Sequence, residues 1–214
     1  MAYKFPDGAK FLFSKTFGTA KTVSAITNAD PAVATAATHG LTEGDEFLLN
    51  SGWEDAGDSV YLAGTVADAN TLEVDGLDSS DTGWFSAGAG VGSVQAISDW
   101  KEIPQVLTIA TSGGDARNAT IAPLSRRNSF NVPLGFNPTV VTLTLGHDSQ
   151  NAIFKEMLGV SRTLTKVAFK LLLTGGETSY GYGYMAVSEL PAMNSGAPNQ
   201  VTAVFSFIGR ATSY

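Results

Sequence analysis

The C-terminal half of the chain is dominated by alternation of apolar and polar residues with a period of two. Four segments carry one apolar face each: Val141, Leu143 and Leu145; Val167, Phe169, Leu171 and Leu173; Tyr180, Tyr182 and Tyr184; and Val201, Ala203, Phe205 and Phe207. Successive side chains of a strand point to opposite faces, so this pattern predicts strands with one buried face. The other face is also partly apolar, as at Met185 and Val204, which indicates cover by another layer or by neighbouring subunits.

One segment has a helical period instead. Ile153, Phe154, Met157 and Leu158 form an apolar stripe, which predicts a single short helix of about ten residues. Asp148 or Ser149 can cap its start, and Gly159 suits the left-handed position that ends many helices. Because a helix this short is stable only when packed, we expect the stripe to lie on a sheet.

Between residues 22 and 98, short apolar segments alternate with turn-forming clusters. The predicted strands are 22–26, 33–37, 46–50, 59–67, 71–74 and 90–97. Short strands with frequent turns are typical of a small barrel or sandwich. Trp53, Trp84 and Phe85 are the expected large anchors of its core or rim. The predicted fold class is therefore all-β with one short helix: a β-sandwich or barrel domain plus an inserted small β-barrel-like module.

The charges divide the chain in the same place. No Lys or Arg lies between Thr22 and Trp100, and twelve acids lie between Ser24 and Ile97: Asp30, Glu43, Asp45, Glu46, Glu54, Asp55, Asp58, Asp68, Glu73, Asp75, Asp78 and Asp81. Since the whole chain has a net charge of −7, the remainder carries +5. We predict a discontinuous domain of residues 1–21 and 98–214, with residues 22–97 as an acidic insert. The acidity either keeps assemblies apart by repulsion or docks the insert on its own core or on a neighbour.

The residues that several classes of protein require are absent from this sequence. The chain has no cysteine, which excludes disulfides, thiolate metal sites and cysteine nucleophiles. Its start lacks the apolar core of a signal peptide, and no apolar run is long enough to span a bilayer, so we expect synthesis in the cytoplasm and no membrane insertion. A net charge of −7 argues against a sequence-independent nucleic-acid binder.

Motifs for catalysis and metal binding are incomplete. His39 and His147 are the only histidines, and neither a Gly-x-Ser-x-Gly elbow nor a phosphate-binding loop is present. The tripeptide that starts at Asp81 resembles that of aspartic proteases but has no second copy. An EF-hand pattern starts at Asp68 and is broken by Leu72, which leaves calcium at an irregular loop as the alternative to a solvated acidic surface. We predict no catalytic, cofactor or metal site, and no enzymatic activity.

Several segments resemble tailed-phage tail tube (major tail) proteins. They are residues 3–11 (YKFPDGAKF), 13–17 (FSKTF), 100–109 (WKEIPQVLTI), 131–136 (NVPLGF), 165–169 (TKVAF), 180–189 (YGYGYMAVSE) and 199–203 (NQVTA). Residues 28–33 (NADPAV) and 38–45 (THGLTEGD) resemble a small β module of phage tail proteins. The resemblance covers nearly the whole chain and contains no catalytic signature.

This resemblance implies a structural virion protein. Members of the family form hexameric rings that stack into a hollow tail tube, in which the sheets of neighbours join and through which DNA is ejected. It implies self-assembly, contacts with tape measure, tail terminator and baseplate proteins, transient non-specific contact with DNA in the lumen, and location in the virion tail after assembly in the host cytoplasm. Residues 22–97 would then lie on the tube exterior of a non-contractile phage.

A second functional class remains open at this point. A virion-surface or secreted binding module, similar to an adhesin, would use the acidic insert and its tryptophans to contact a glycan. That hypothesis requires Trp53 or Trp84 to be accessible to a ligand.

Overall fold

The computed structural model describes residues 7–193, 195–196 and 198–214. The first six residues of the predicted tube domain, and with them four of the nine residues of the segment 3–11, lie outside the described residues. The rest form seventeen strands and one helix. The strands are β1 (Lys10–Ser14), β2 (Thr16–Phe17), β3 (Lys21–Ile26), β4 (Ala32–Ala36), β5 (Glu46–Ser51), β6 (Ser59–Leu62), β7 (Thr71–Val74), β8 (Gly92–Ser98), β9 (Lys101–Glu102), β10 (Val106–Ser112), β11 (Ala116–Ile121), β12 (Phe130–Phe136), β13 (Val140–Gly146), β14 (Lys166–Leu172), β15 (Thr178–Val187), β16 (Gln200–Phe207) and β17 (Thr212–Ser213), and the helix is α1 (Ala152–Thr163).

The strands make two large sheets and a separate hairpin. The first sheet has the order β10-β13-β16-β15-β14-β1-β9, with β17 added beside β15. The second has the order β6-β5-β8-β3-β4-β7, with β2 added beside β8. Among the strands that the structure describes, β11 and β12 pair only with each other. All pairings are antiparallel, and the all-β class with one helix is confirmed.

The second sheet closes into a small barrel. Its end strands β6 and β7 are joined by a bridge between Ala63 and Val74 and by a 2.9 Å hydrogen bond from the N–H of Gly64 to the carbonyl of Glu73. Large apolar side chains fill its interior: Val23, Phe47, Leu49, Trp53, Leu72 and Val94. The predicted strands are all present, although the one expected to run to residue 67 ends at Leu62.

Helix α1 packs on the first sheet with Phe154, Met157 and Val160 buried. Its predicted ends were wrong. Asn151 caps the start, because its side chain accepts hydrogen bonds from the N–H groups of Ile153 (2.8 Å) and Phe154 (3.2 Å). The Asp148 side chain instead accepts from the N–H of Gln150, at 2.9 Å.

The helix also runs past its predicted end. Gly159 lies inside it, and the left-handed position is taken by Leu164 at φ 51°. The N–H of Leu164 bonds back to the carbonyl of Ser161 at 3.3 Å, so the local hydrogen bonding of a C-cap forms without glycine.

Two glycines of β15 explain how the first sheet packs. A Cβ at Gly181 would collide with the Phe207 ring, and a Cβ at Gly183 would collide with the Ser206 carbonyl. The Phe207 ring lies 5.8 Å from that of Phe169, centroid to centroid, in the space that Gly181 leaves free. These glycines therefore let a ring and a backbone segment approach the strand closely.

The two sheets share a third apolar cluster. Leu48, Val60 and Ile97 of the barrel pack against Ala168, Tyr180 and Tyr182 of the first sheet. The barrel strands lie between Thr16 and Ser98. Its status as an inserted module with boundaries at 22 and 97 stays a prediction.

Candidate functional site

The β11–β12 hairpin is exposed, and the rest of the described chain does not cover it. We call residues 116–136 the arm. Apart from Ala119, Pro123, Val132 and Gly135, all its residues are exposed. A two-stranded hairpin in water is marginally stable at best, and no third strand among residues 7–193, 195–196 and 198–214 pairs with this one. The arm therefore has the structure of an element that is stabilised by packing against a partner.

One face of the arm is apolar. Ala119 pairs with Val132, and Ile121 pairs with Phe130, which places these four side chains on the same face. Ile121 and Phe130 are each 43% exposed, and Phe136 further along is 70% exposed. An uncovered apolar strand face of this kind marks an interaction surface.

The first sheet has a long free edge next to the arm. Within the described part of the chain, strand β10 pairs only with β13, so its other edge is open. Its seven residues, VLTIATS, contain no charge and no proline, and six of them are exposed. Monomeric proteins protect such edges with charges, prolines or bulges, because an open edge invites another strand. Apart from a bulge near Val106, this edge lacks those protections.

The sheet face opposite α1 is uncharged along β10, β13, β15 and β16. We call it the threonine-rich face, and its residues are Thr108, Ala110, Ser112, Val140, Thr142, Thr144, Ala186, Thr202, Val204 and Ser206. The pairing register puts them on one side, away from the core residues Leu143 and Phe205. All ten side chains are exposed or half-buried.

The barrel is fixed to the first sheet by a polar cluster around Glu46. Its carboxylate accepts hydrogen bonds from the hydroxyl of Tyr180 (2.8 Å) and the indole N–H of Trp100 (2.6 Å), and forms an ion pair with Lys170. Lys170 also lies 5.5 Å from the Trp100 ring centroid. Burial, and then the bond to Glu46, raise the pKa of Tyr180 above its usual range.

The C-terminal residues make a second junction. The Tyr214 hydroxyl donates to the carbonyl of Asp75 at 2.8 Å, and the guanidinium of Arg210 meets Asp55 at 2.6 Å. Burial raises the pKa of the Tyr214 hydroxyl. Together with Glu46, these contacts dock the acidic barrel on its own core, which was one of the two roles expected for its charge.

Six basic residues outside the barrel form ion pairs within the chain. Ion pairs join Lys10 to Glu102, Lys15 and Lys101 to Glu156, Arg162 to Glu189, Lys170 to Glu46, and Arg210 to Asp55. The Lys101 and Lys15 ammonium groups lower the pKa of Glu156. Among the described residues, the three arginines of the arm (Arg117, Arg126 and Arg127) form no ion pair.

The expected aromatic anchors divide into two kinds. Trp53 is buried and donates its indole N–H to the carbonyl of Ser86 at 2.8 Å, with Phe85 packed edge-on against it at 5.2 Å. These two residues are anchors, as predicted. Trp84 is 74% exposed, so its assignment to the core or rim was wrong. Of the two tryptophans named in the adhesin hypothesis, only Trp84 is accessible to a ligand, because Trp53 is buried.

The residues singled out for metal or acid–base chemistry have structural partners. Asp68 accepts from the N–H groups of Asn70 (2.7 Å) and Thr71 (2.9 Å), which lowers its pKa and makes a turn. Asp81 accepts from the N–H of Gly83 at 2.8 Å. His39 accepts from the N–H of Leu41 at 3.0 Å, and the His147 ring packs edge-on against Phe154. Among the described residues, no three acids or histidines come together as a metal site.

The arm was missed by the sequence reasoning, although the sequence carries a signal for it. Phe130, Val132 and Leu134 alternate with Asn131 and Pro133. Because proline has no N–H to donate, Pro133 restricts this strand to an edge position. A turn cluster follows Ile121, with a hydrogen bond from the N–H of Arg126 to the carbonyl of Pro123 at 3.0 Å.

The comparison with protein families gives the chain its place. A family model described as phage tail tube protein, TTP, matches residues 51–214, which include half of the barrel, the arm and the first sheet from β9 onward. A search of curated proteins found no match. No helix in the described part of the chain is long and apolar enough to cross a membrane. The family match spans well over half of the chain, and the chain therefore belongs to the phage tail tube protein family.

Proposed function

We propose that the chain polymerises as stacked hexameric rings into the tail tube of a non-contractile phage and that this tube is the conduit for DNA ejection. The family supports a structural role in the tail. The observation that carries the finer proposal is the uncovered region from β10 to the end of the arm, most of whose residues are exposed in a single subunit. Such a region is stable when neighbours cover it.

The free edge of β10 supports closure into rings. A ring requires two different surfaces that meet head to tail, and stacking requires a further open contact. The edge of β10 and the short β9 at the other end of the same sheet supply two such surfaces, because strand addition joins open edges by main-chain hydrogen bonds. The arm supplies the further contact between subunits.

The threonine-rich face supports the conduit. A channel for DNA must not hold its cargo, and lysine or arginine side chains along the channel would bind phosphates by counterion release. The threonine-rich face has no charged residue. We therefore place it on the lumen, where DNA makes only transient, non-specific contacts.

The barrel takes the exterior position in this proposal, as an inserted module of about residues 22–97. Its docking by Glu46 and by the C-terminal residues holds it over β14 and the start of β15, whereas the threonine-rich face lies on β10, β13, β16 and the end of β15. We therefore place the barrel beyond the part of the sheet that faces the lumen. Tape measure, tail terminator and baseplate proteins are the proposed partners along and at the ends of the tube. Assembly takes place in the host cytoplasm and the product resides in the virion tail.

Concentration-dependent assembly of the full chain tests this proposal. The double substitution Ile121→Ser with Phe130→Ser removes the apolar face of the arm, and Leu190→Ser, at an exposed apolar residue outside the arm, is the matched control. We expect the wild type and the control to form tubes that sediment, and the arm variant to need at least about tenfold more protein. A wild type that stays monomeric at every concentration, measured by light scattering, would refute the proposed function.

A further inference from the structure

The loop of residues 78–90 holds an exposed tryptophan on a rigid base. Ser79 is buried, and its hydroxyl donates to the carbonyl of Thr27 at 2.7 Å. The side chain of Asn28 donates to the carbonyls of Ser79 (3.0 Å) and Phe85 (2.8 Å). Trp84 stands on this base at 74% exposure. A large aromatic side chain that is fixed in place and free of cover is suited to be the centre of an interface.

The loop that carries Trp84 also carries negative charge. Asp78 and Asp81 are both exposed, and neither forms an ion pair among the described residues. The hydroxyl and N–H of Ser80 donate to Asp78 at 2.6 and 3.0 Å, which lowers the pKa of its carboxyl. Short turns therefore fix the orientation of both carboxylates. Because the pKa of Asp78 is lowered, this side chain stays ionised at a lower pH than an ordinary aspartate does. We call Asp78, Asp81 and Trp84 the tryptophan surface.

The tip of the arm has the complementary chemistry. Leu124 is fully exposed, and Arg126 and Arg127 follow it, also exposed. The arm contains three arginines and no acid, whereas the chain from Thr22 to Trp100 contains no Lys or Arg. Among the described residues, no hydrogen bond or ion pair joins the arm to the barrel of the same chain. The arginines of the tip are therefore available to pair with acids of another molecule.

We infer that the arm tip of one subunit docks on the tryptophan surface of a second copy of this chain, an inference that rests on the proposed function. Leu124 packs on the indole of Trp84, and a guanidinium lies over the ring or against Asp78 and Asp81. The apolar centre supplies affinity. The opposite charges at the rim set orientation and register between subunits.

A disulfide trap tests the contact directly, because the chain has no native cysteine. Leu124→Cys protein and Trp84→Cys protein are mixed, assembled and oxidised, with Leu190→Cys replacing Leu124→Cys as the control. We expect a disulfide-linked dimer in the first mixture that is at least tenfold more abundant than in the control.

Charge reversal gives a second readout that does not depend on Trp84→Cys folding or assembling. Arg126→Glu with Arg127→Glu should raise the protein concentration needed for assembly by at least about tenfold. Adding Asp78→Arg and Asp81→Arg to the same chain should bring that concentration part of the way back to the wild-type value. Wild-type tubes together with an absent dimer and unchanged assembly of the reversed variant would overturn this inference and leave the proposed function standing. Absence of tubes from the wild type would overturn both.

Discussion

The hydroxyl of Tyr180 donates a 2.8 Å hydrogen bond to the carboxylate of Glu46, and this bond joins the two sheets of the molecule. Glu46 belongs to the acidic barrel, and Tyr180 to the sheet that carries the free edge and the threonine-rich face. The same carboxylate faces Lys170 and Trp100, so three donors from outside the barrel converge on one acceptor. The barrel is therefore held by a specific junction as well as by apolar contact.

Replacement of Glu46 by alanine tests this junction. The side chains of Glu46 and Lys170 are only 15% and 18% exposed, so the substitution leaves a largely buried cation and two donors without an acceptor. We expect the free energy of unfolding to fall by about 2–3 kcal/mol. Glu43→Ala, at an exposed acid of the same barrel, should change it by less than about 0.5 kcal/mol. Equal losses in urea denaturation of the two variants would contradict the junction.

Alanine at Gly181 should destabilise the first sheet, because the added Cβ collides with the Phe207 ring in a filled core. We expect a loss of about 2 kcal/mol or more. Gly159→Ala is the matched control, since a Cβ there meets nothing within 4 Å and alanine favours the helix by about 1 kcal/mol. The two substitutions should therefore shift the melting temperature in opposite directions. Destabilisation by both would show that the space around Gly159 is also filled.

The cap of α1 can be assigned by a pair of substitutions. Asn151→Ala removes the acceptor for the N–H groups of Ile153 and Phe154 and should cost about 1 kcal/mol. Ser149→Ala removes the residue that the sequence pattern also favours as a cap, and should cost almost nothing. Thermal unfolding followed by circular dichroism compares the two, and a larger effect at Ser149 would return the cap to its predicted place.

Alkaline pH should weaken the barrel through Tyr61. Burial raises the pKa of Tyr61 to about 12, from about 10 in the unfolded chain. Because the folded value is higher, the contribution to stability is complete below pH 10 and is lost as the pH rises through 12. It amounts to at most about 3 kcal/mol. Between pH 9 and 11.5 the wild type should lose more stability than Tyr61→Phe; parallel losses would place the Tyr61 hydroxyl in water.

The sequence predicts the regular parts of this fold well, for a physical reason. Faces such as Val141 with Leu143, or Val201 with Phe205, alternate strictly because one side of the sheet is buried under α1. Gly181 could be assigned to close packing because glycine between tyrosines in a strand has few other uses. The helix cap was misplaced by two or three residues, since Asp148, Ser149 and Asn151 are chemically almost equivalent as caps.

The interaction surfaces were harder to predict from the sequence. The arm alternates as a buried strand would, but its apolar face is exposed in one subunit, and local pattern cannot distinguish cover by the same chain from cover by another. Trp84 and Trp53 look alike in sequence, and only the fold places one outside and the other inside. The pairing of Glu46 with Lys170 joins residues more than a hundred positions apart, which composition cannot indicate.

A reconstruction of the assembled protein by cryo-electron microscopy tests the central claim most directly. The account predicts stacked six-membered rings around a hollow bore, with the threonine-rich face on the bore, the barrel outside, and β10 joined to a neighbouring subunit. A filament without rings, a bore lined by the acidic barrel, or a wild-type protein that forms no assembly at any concentration would contradict it.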